Sequence, residues 1–121
     1  MKTILVVEDE EFLIDAYRVK FKSARFAVDI ASDGEEAIQK IDANTYDLFI
    51  LDLIMPKKNG MEVLAYIRSK PECAKTPVII ASNVDKKETL QDALKAGAND
   101  YFIKSETSLA DILAIVEEYL F

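Results

Sequence analysis

The chain contains no histidine at all. That removes the usual general base, the commonest metal-binding side chain and any phosphohistidine chemistry of its own. Cysteine occurs once, as Cys73, so no internal disulfide can form, which fits a reducing compartment. Three glycines and three prolines are too few for a disordered or fibrous chain. No stretch comes near the roughly 20 apolar residues of a membrane span. The N-terminal MKTILVVEDE turns acidic too soon after its apolar run to be a signal peptide. Positive charge is also short: 15 lysines and arginines face 22 aspartates and glutamates, a formal net charge of −7. Such a surface repels phosphate backbones and anionic lipid. The expectation is a cytoplasmic protein with no direct nucleic-acid contact and no membrane insertion.

What remains is an ordinary globular composition, half hydrophobic and 31% charged, in a chain of 121 residues. That length makes one domain, residues 1–121, with room for a full core. Apolar runs predict strands at Thr3–Val7, Phe26–Ala31, Tyr46–Leu51, Thr76–Ala81 and Asn99–Ile103. Between them, helical spacing links Leu13, Tyr17, Phe21 and Ala24, then Ala37, Ile38 and Ile41. Met61, Leu64 and Ile67 mark a third helix over Met61–Ser69. Leu90, Ala93 and Leu94 face inward on a fourth over Asp85–Ala96. Leu109, Ile112, Leu113, Val116 and Leu120 stripe a fifth over Ser108–Leu120. Asp33 with Glu36 and Asn59 with Glu62 are spaced as helix-capping pairs. Pro71 stops the third helix, Pro77 opens the fourth strand, and Gly97 suits a left-handed C-cap. Strict strand–helix alternation with short connections implies an α/β fold: a five-stranded parallel sheet, doubly wound, with helices on both faces.

The stretch Tyr46–Gly60, YDLFILDLIMPKKNG, organises the rest. Leu48, Phe49, Ile50 and Leu51 read as a strand buried on both faces, running straight into Asp52. Open α/β sheets place their ligands beyond the carboxyl ends of the strands, which is where Asp52 falls. Pro56 blocks an immediate helix, so a loop from Leu53 to Lys58 arches past the carboxylate.

All strands of a parallel sheet end at one edge, so residues far apart in sequence converge there. Glu8 and Asp9 follow the first strand, Asp52 the third, Ser82 the fourth and Lys104 the fifth. Taken singly, each has a bland reading: an acidic first helical turn, a turn-initiating serine, a solvated lysine. Together, at one edge of four strands, they read as a site. Three carboxylates in one cleft repel unless a cation neutralises them, and a hard divalent ion such as Mg²⁺ suits oxygen ligands. A nucleophilic carboxylate, a metal, a hydroxyl donor and a mobile ammonium form the set that phosphoryl transfer needs.

Those residues carry a family resemblance. VVEDE at Val6–Glu10, LDLIMPKKNG at Leu51–Gly60, ASN at Ala81–Asn83 and AGANDYFIK at Ala96–Lys104 closely resemble the receiver domain of two-component response regulators, including the single-domain chemotaxis type. The likeness covers the whole chain. It implies a flavodoxin-like strand order 2-1-3-4-5. It implies Asp52 as phosphoacceptor, with Glu8, Asp9, Asp52 and the Ile54 backbone carbonyl around Mg²⁺, for which Mn²⁺ can substitute. Ser82 and Lys104 would engage the phosphoryl group, and Tyr101 would be the switch aromatic, turning inward when Ser82 moves. The chain departs from the pattern at Ser105, where a proline usually follows the lysine, at Asn83, where a small residue is common, and at Glu8, where aspartate is commoner. Apolar Ile54 and Val84 are expected to orient no hydrolytic water and partly to cover the site, giving slow self-dephosphorylation.

The resemblance further implies a switch rather than an enzyme. A sensor histidine kinase or histidine phosphotransfer protein would donate the phosphoryl group. A downstream protein would read the face formed by the fourth helix, fifth strand and fifth helix, and dimerisation on phosphorylation is a further expectation. Three rivals fare worse. Aspartyl phosphatases generally place the nucleophile after the first strand, with a second aspartate two residues on, where this chain has Ile54. A flavin or dinucleotide binder needs a glycine- or hydroxyl-rich loop after the first strand, and EDEEF is the opposite. A pseudo-receiver acting by contact alone would not need the full acceptor set.

Overall fold

Five short runs of apolar and β-branched residues form the strands: β1 (Thr3–Val7), β2 (Ala27–Ala31), β3 (Leu48–Asp52), β4 (Val78–Ser82) and β5 (Asp100–Ile103). They alternate with α1 (Glu11–Ser23), α2 (Gly34–Ala43), α3 (Gly60–Ser69), α4 (Lys87–Lys95) and α5 (Leu109–Leu120). The computed structural model describes every residue except 55, 56, 58 and 84–86. The expectations for Pro56, Val84 and the start of the fourth helix at Asp85 therefore lie outside the described residues.

The strands make one sheet in the order β2-β1-β3-β4-β5, every pair parallel. Because side chains alternate across a strand, the sheet feeds two cores. Leu5, Val7, Phe49, Leu51, Val78 and Ile80 face one side with α2 and α3 residues such as Ile41, Leu64 and Ile67. Ile4, Val6, Leu48, Ile50 and Ile79 face the other with Ile14, Tyr17 and Phe21 of α1 and Ile112 and Val116 of α5. The central strands β3 and β4 are buried along their whole length, and the edge strands β2 and β5 are not. The expected doubly wound architecture is the observed one.

Element boundaries shift by a residue or two. Asp52 is the last residue of β3, not the first after it, because its backbone pairs with Ala81 of β4. Leu94 is 39% exposed, against expectation, whereas Leu90 and Ala93 are buried. Ile14 and Val63 belong to the core in addition to the expected stripes, and Leu13, Ile38 and Met61 are only partly buried.

Local signals explain where the helices start and stop. Asp33 accepts a hydrogen bond from the Glu36 N–H, and Asn59 and Glu62 form a reciprocal capping box. After α4, the Ala98 N–H reaches the Ala93 carbonyl and the Gly97 N–H the Leu94 carbonyl, a Schellman closure. Gly97 has φ +113, the left-handed conformation that closure needs. Arg68 of α3 then donates to the Gly97 carbonyl and to Asn99, fixing the entry to β5.

Gly60 opens α3 hard against the end of β3. A Cβ there would sit 2.2 Å from the Asp52 carbonyl oxygen and 2.7 Å from the Leu53 Cα. The contact is backbone against backbone, so no rotamer change relieves it. Gly60→Ala is expected to lower unfolding free energy by about 2 kcal/mol or more, read from urea denaturation. An unchanged midpoint would show that α3 can back away from the strand.

Candidate functional site

At the carboxyl edge of the sheet, β1 ends in Val7 and hands the chain to Glu8, whose N–H is held by the Ala31 carbonyl at 2.9 Å. β3 ends on Asp52. β4 places Ser82 one residue beyond the partner of Asp52, and Ser82 pairs with Ile103, the residue before Lys104. The topology thus brings Glu8, Asp9, Asp52, Ser82 and Lys104 to one edge.

Glu8, Asp52 and Ser82 are the buried polar residues of the described chain, against a core that is otherwise hydrophobic. The Lys104 ammonium joins the two acids. Its Nζ donates to Glu8 Oε1 at 2.7 Å and Oε2 at 3.1 Å, and to Asp52 Oδ2 at 3.1 Å. The lysine side chain is only 6% exposed. The other Asp52 oxygen, Oδ1, accepts the Ile54 N–H at 3.1 Å. Asp9 is exposed, yet one of its oxygens lies within 4.8 Å of oxygens of both Glu8 and Asp52.

One ammonium cannot balance two buried carboxylates, so this core of the site carries a net negative charge when all three groups are ionised. Burial pushes the Glu8 carboxyl up from 4.5 to about 7, the Asp52 charge adds to that, and the Lys104 hydrogen bond opposes it. For Lys104, burial disfavours the charged form, but the hydrogen bonds to Glu8 and Asp52 and their charges outweigh it and raise its pKa.

The donor set fits a hard divalent cation. Mg²⁺ takes oxygens at about 2.0–2.1 Å in an octahedron, placing neighbouring ligands about 3 Å apart and opposite ones about 4 Å apart. Three carboxylate oxygens within 4.8 Å of one another can share such an ion after small side-chain adjustments.

Tyr101 lies on β5 opposite Ile80 with its side chain exposed. Ile54 is 67% exposed, so its side chain is not packed into the core beside Asp52. The side chain is exposed while the backbone N–H donates to the carboxylate.

Sequence reasoning missed three contacts. Glu10 lies 3.9 Å from the Lys104 Nζ, half-exposed at the rim, a further acid in the run after β1. Ser105 donates its backbone N–H to Asn83 Oδ1 at 2.9 Å. Both positions stood out as departures from the family pattern, but nothing local in the sequence indicates that they meet. Lys57 reaches Asp33 at 3.5 Å, tying the loop after β3 to the start of α2.

The fold and this edge define a doubly wound α/β domain with an acidic cluster at the carboxyl ends of its strands. The family model described as "Response regulator receiver domain" matches residues 4–117. The chain belongs to that family: it is a receiver domain of two-component response regulators. It is 36% identical to the response regulator ArlR of Staphylococcus epidermidis over 119 residues, 96% of this chain and 53% of the relative. It is 36% identical over 111 residues to the gliding motility regulatory protein of Myxococcus xanthus, 92% of this chain and 14% of that protein. The chain thus spans about half the length, or much less, of these curated relatives. Among solved structures, the receiver domain of the Francisella response regulator 1452 superposes with a TM-score of 0.89 at 30% identity, covering 98% of this chain and 96% of that one. No helix among the described residues is long and apolar enough to cross a membrane.

The raised Glu8 value has a direct consequence for pH. An unfolded chain loses that proton near 4.5 and the folded one near 7, so the folded state binds the extra proton between them. The stabilisation from this proton is complete below the unfolded value and lost as pH rises through about 7. Mg²⁺ held by Glu8 would need the deprotonated carboxylate, so its affinity should weaken by nearly tenfold per pH unit on descending below about pH 6. Calorimetric titration in buffers of different ionisation enthalpy should show a proton released on binding near pH 6. Affinity that stays constant between about pH 5.5 and 8 would contradict the assignment of that proton to Glu8.

Proposed function

We propose that residues 1–121 form one receiver domain that works as a phosphorylation-driven switch, with Asp52 as the phosphoacceptor. The observation that carries this reading is the Asp52 carboxylate at the tip of β3, held between the Lys104 ammonium and the Glu8 and Asp9 oxygens. The donor would be the phosphohistidine of a sensor histidine kinase or histidine phosphotransfer protein. An Asp52 oxygen attacks phosphorus, the P–N bond breaks, and the imidazole leaves with the electron pair, producing an aspartyl phosphate.

Glu8, Asp9, Asp52 and the Ile54 carbonyl would hold Mg²⁺, with Mn²⁺ able to replace it. When bound, the ion neutralises charge on the phosphoryl oxygens. Lys104 then has a reason to leave Glu8, whose negative charge the ion takes over, and to pair with the phosphoryl group instead. Ser82, buried at the end of β4, supplies a hydroxyl at the same edge. Tyr101 responds as the switch aromatic from its exposed position on β5.

The output face consists of α4, β5 and α5. Leu94 on α4 and Tyr101 on β5 are both 39% exposed, large apolar side chains on the face that a downstream protein or a second copy of the domain would cover. A local charge change at Asp52 biases this face between two states, which is how such a switch couples chemistry to binding. The reading places the domain in the cytoplasm, acting through protein partners and not as an enzyme on external substrates.

Incubation with acetyl phosphate should add one phosphoryl group to the intact mass, and the gain should require both Mg²⁺ and Asp52. No gain in wild type, or an equal gain in Asp52→Ala, would overturn the assignment and leave a module acting by contact alone. The lifetime of the product is a separate test. Ile54 offers no group to orient water, so the wild-type phosphoryl half-life should exceed that of Ile54→Asn, measured by decay of the same mass species. A much shorter wild-type half-life would contradict that role.

A further inference from the structure

Lys104 begins a short 3-10 turn, Lys104–Glu106, directly after β5. β5 is an edge strand, with β4 on one side and no strand on the other. Yet the lysine it launches must be placed well enough to bridge Glu8 and Asp52 from a side chain that is almost wholly buried. Two hydrogen bonds constrain the turn. Thr107 Oγ1 donates to the Ile103 carbonyl at 2.8 Å, within the same segment. The Ser105 N–H donates to Asn83 Oδ1 at 2.9 Å, and this bond crosses to the segment that leaves β4. Asn83 is adjacent to Ser82, and Ser105 is adjacent to Lys104, so the bond joins the two loops at their points of departure from paired strands. It exists because residue 105 has an N–H to give, which a proline there would lack.

We propose that Asn83 is a positioning residue for Lys104: its side-chain oxygen clasps the Ser105 N–H and so holds the ammonium on Glu8 and Asp52. The proposal deepens the phosphoacceptor reading and rests on it for the role of Lys104. The clasp acts on two competing events in opposite directions. It presents the ammonium where charge on a phosphoryl group must be met. It also keeps that ammonium on the carboxylates that a divalent cation would take.

Asn83→Leu removes the acceptor at similar volume, and because Asn83 is exposed the fold tolerates the change. Amide hydrogen exchange at Ser105 should then accelerate about tenfold, the effect of losing one hydrogen bond. Phosphorylation by acetyl phosphate should slow about fivefold while Mg²⁺ binds about threefold more tightly, because the competing ammonium is less firmly held. Asn83→Asp, which keeps an acceptor oxygen, should restore Ser105 protection. General loosening of the site would instead weaken both phosphorylation and Mg²⁺ binding, and that result would overturn the proposal. So would unchanged exchange at Ser105, or faster exchange with rate and Mg²⁺ affinity both unmoved. If wild type accepts no phosphoryl group, the phosphoacceptor reading fails. The exchange and Mg²⁺ measurements then still decide whether the clasp exists and holds Lys104.

Discussion

The Lys104 ammonium between Glu8 and Asp52 is the interaction on which the rest of the site depends. Two carboxylates removed from water at the end of a hydrophobic sheet would be strongly unfavourable without a cation. The chain supplies one from within, at 2.7 Å and 3.1 Å, and leaves one negative charge unbalanced when all three groups are ionised. Burial, with the Asp52 charge adding to it, raises the Glu8 pKa, and the residual charge would favour a divalent ion. It also means the ammonium can be released once another cation takes the carboxylates. A site fully neutralised by protein groups would be more stable and less responsive.

The fold makes this triad from residues 96 positions apart. β5 lies two strand positions from β3 and three from β1, roughly 10 and 14 Å at the usual interstrand spacing. A four-carbon lysine stem crosses part of that distance, and the extra methylene of Glu8 over an aspartate extends the reach from the other side. Gly60 lets α3 close directly onto the Asp52 carbonyl, so the end of β3 lies against the first turn of the helix. The Asn83–Ser105 clasp then holds the lysine end, the part of the arrangement that rests on an edge strand.

Most of this frame was legible in the sequence, because it rests on patterns with a fixed period. The continuous runs ILVV, LFIL and VIIA read as strands, LFIL as one buried on both faces, and strict alternation with helices implied the parallel sheet. The convergence of Glu8, Asp9, Asp52 and Lys104 followed from strand direction alone. What was not legible depends on side-chain direction and on contacts between loops. Leu94 fits the apolar stripe of its helix but lies on its solvent-facing side, and Ile54 is apolar yet turned outward. Asn83 and Ser105 are 22 positions apart with no periodic signal to relate them. Each showed only as a departure from a family pattern, and in the structure the two meet in one hydrogen bond.

The central claim is that Lys104 is the internal counter-ion of a buried acid pair and that a divalent cation can take its place. The most direct measurement is the urea stability of Lys104→Met beside wild type at about pH 8, with and without saturating Mg²⁺. Without the ion, the variant should be less stable by about 3 kcal/mol, since two buried carboxylates lose their partner. Saturating Mg²⁺ should recover most of that difference. A variant as stable as wild type without Mg²⁺, or a deficit that Mg²⁺ leaves unchanged, would contradict the account.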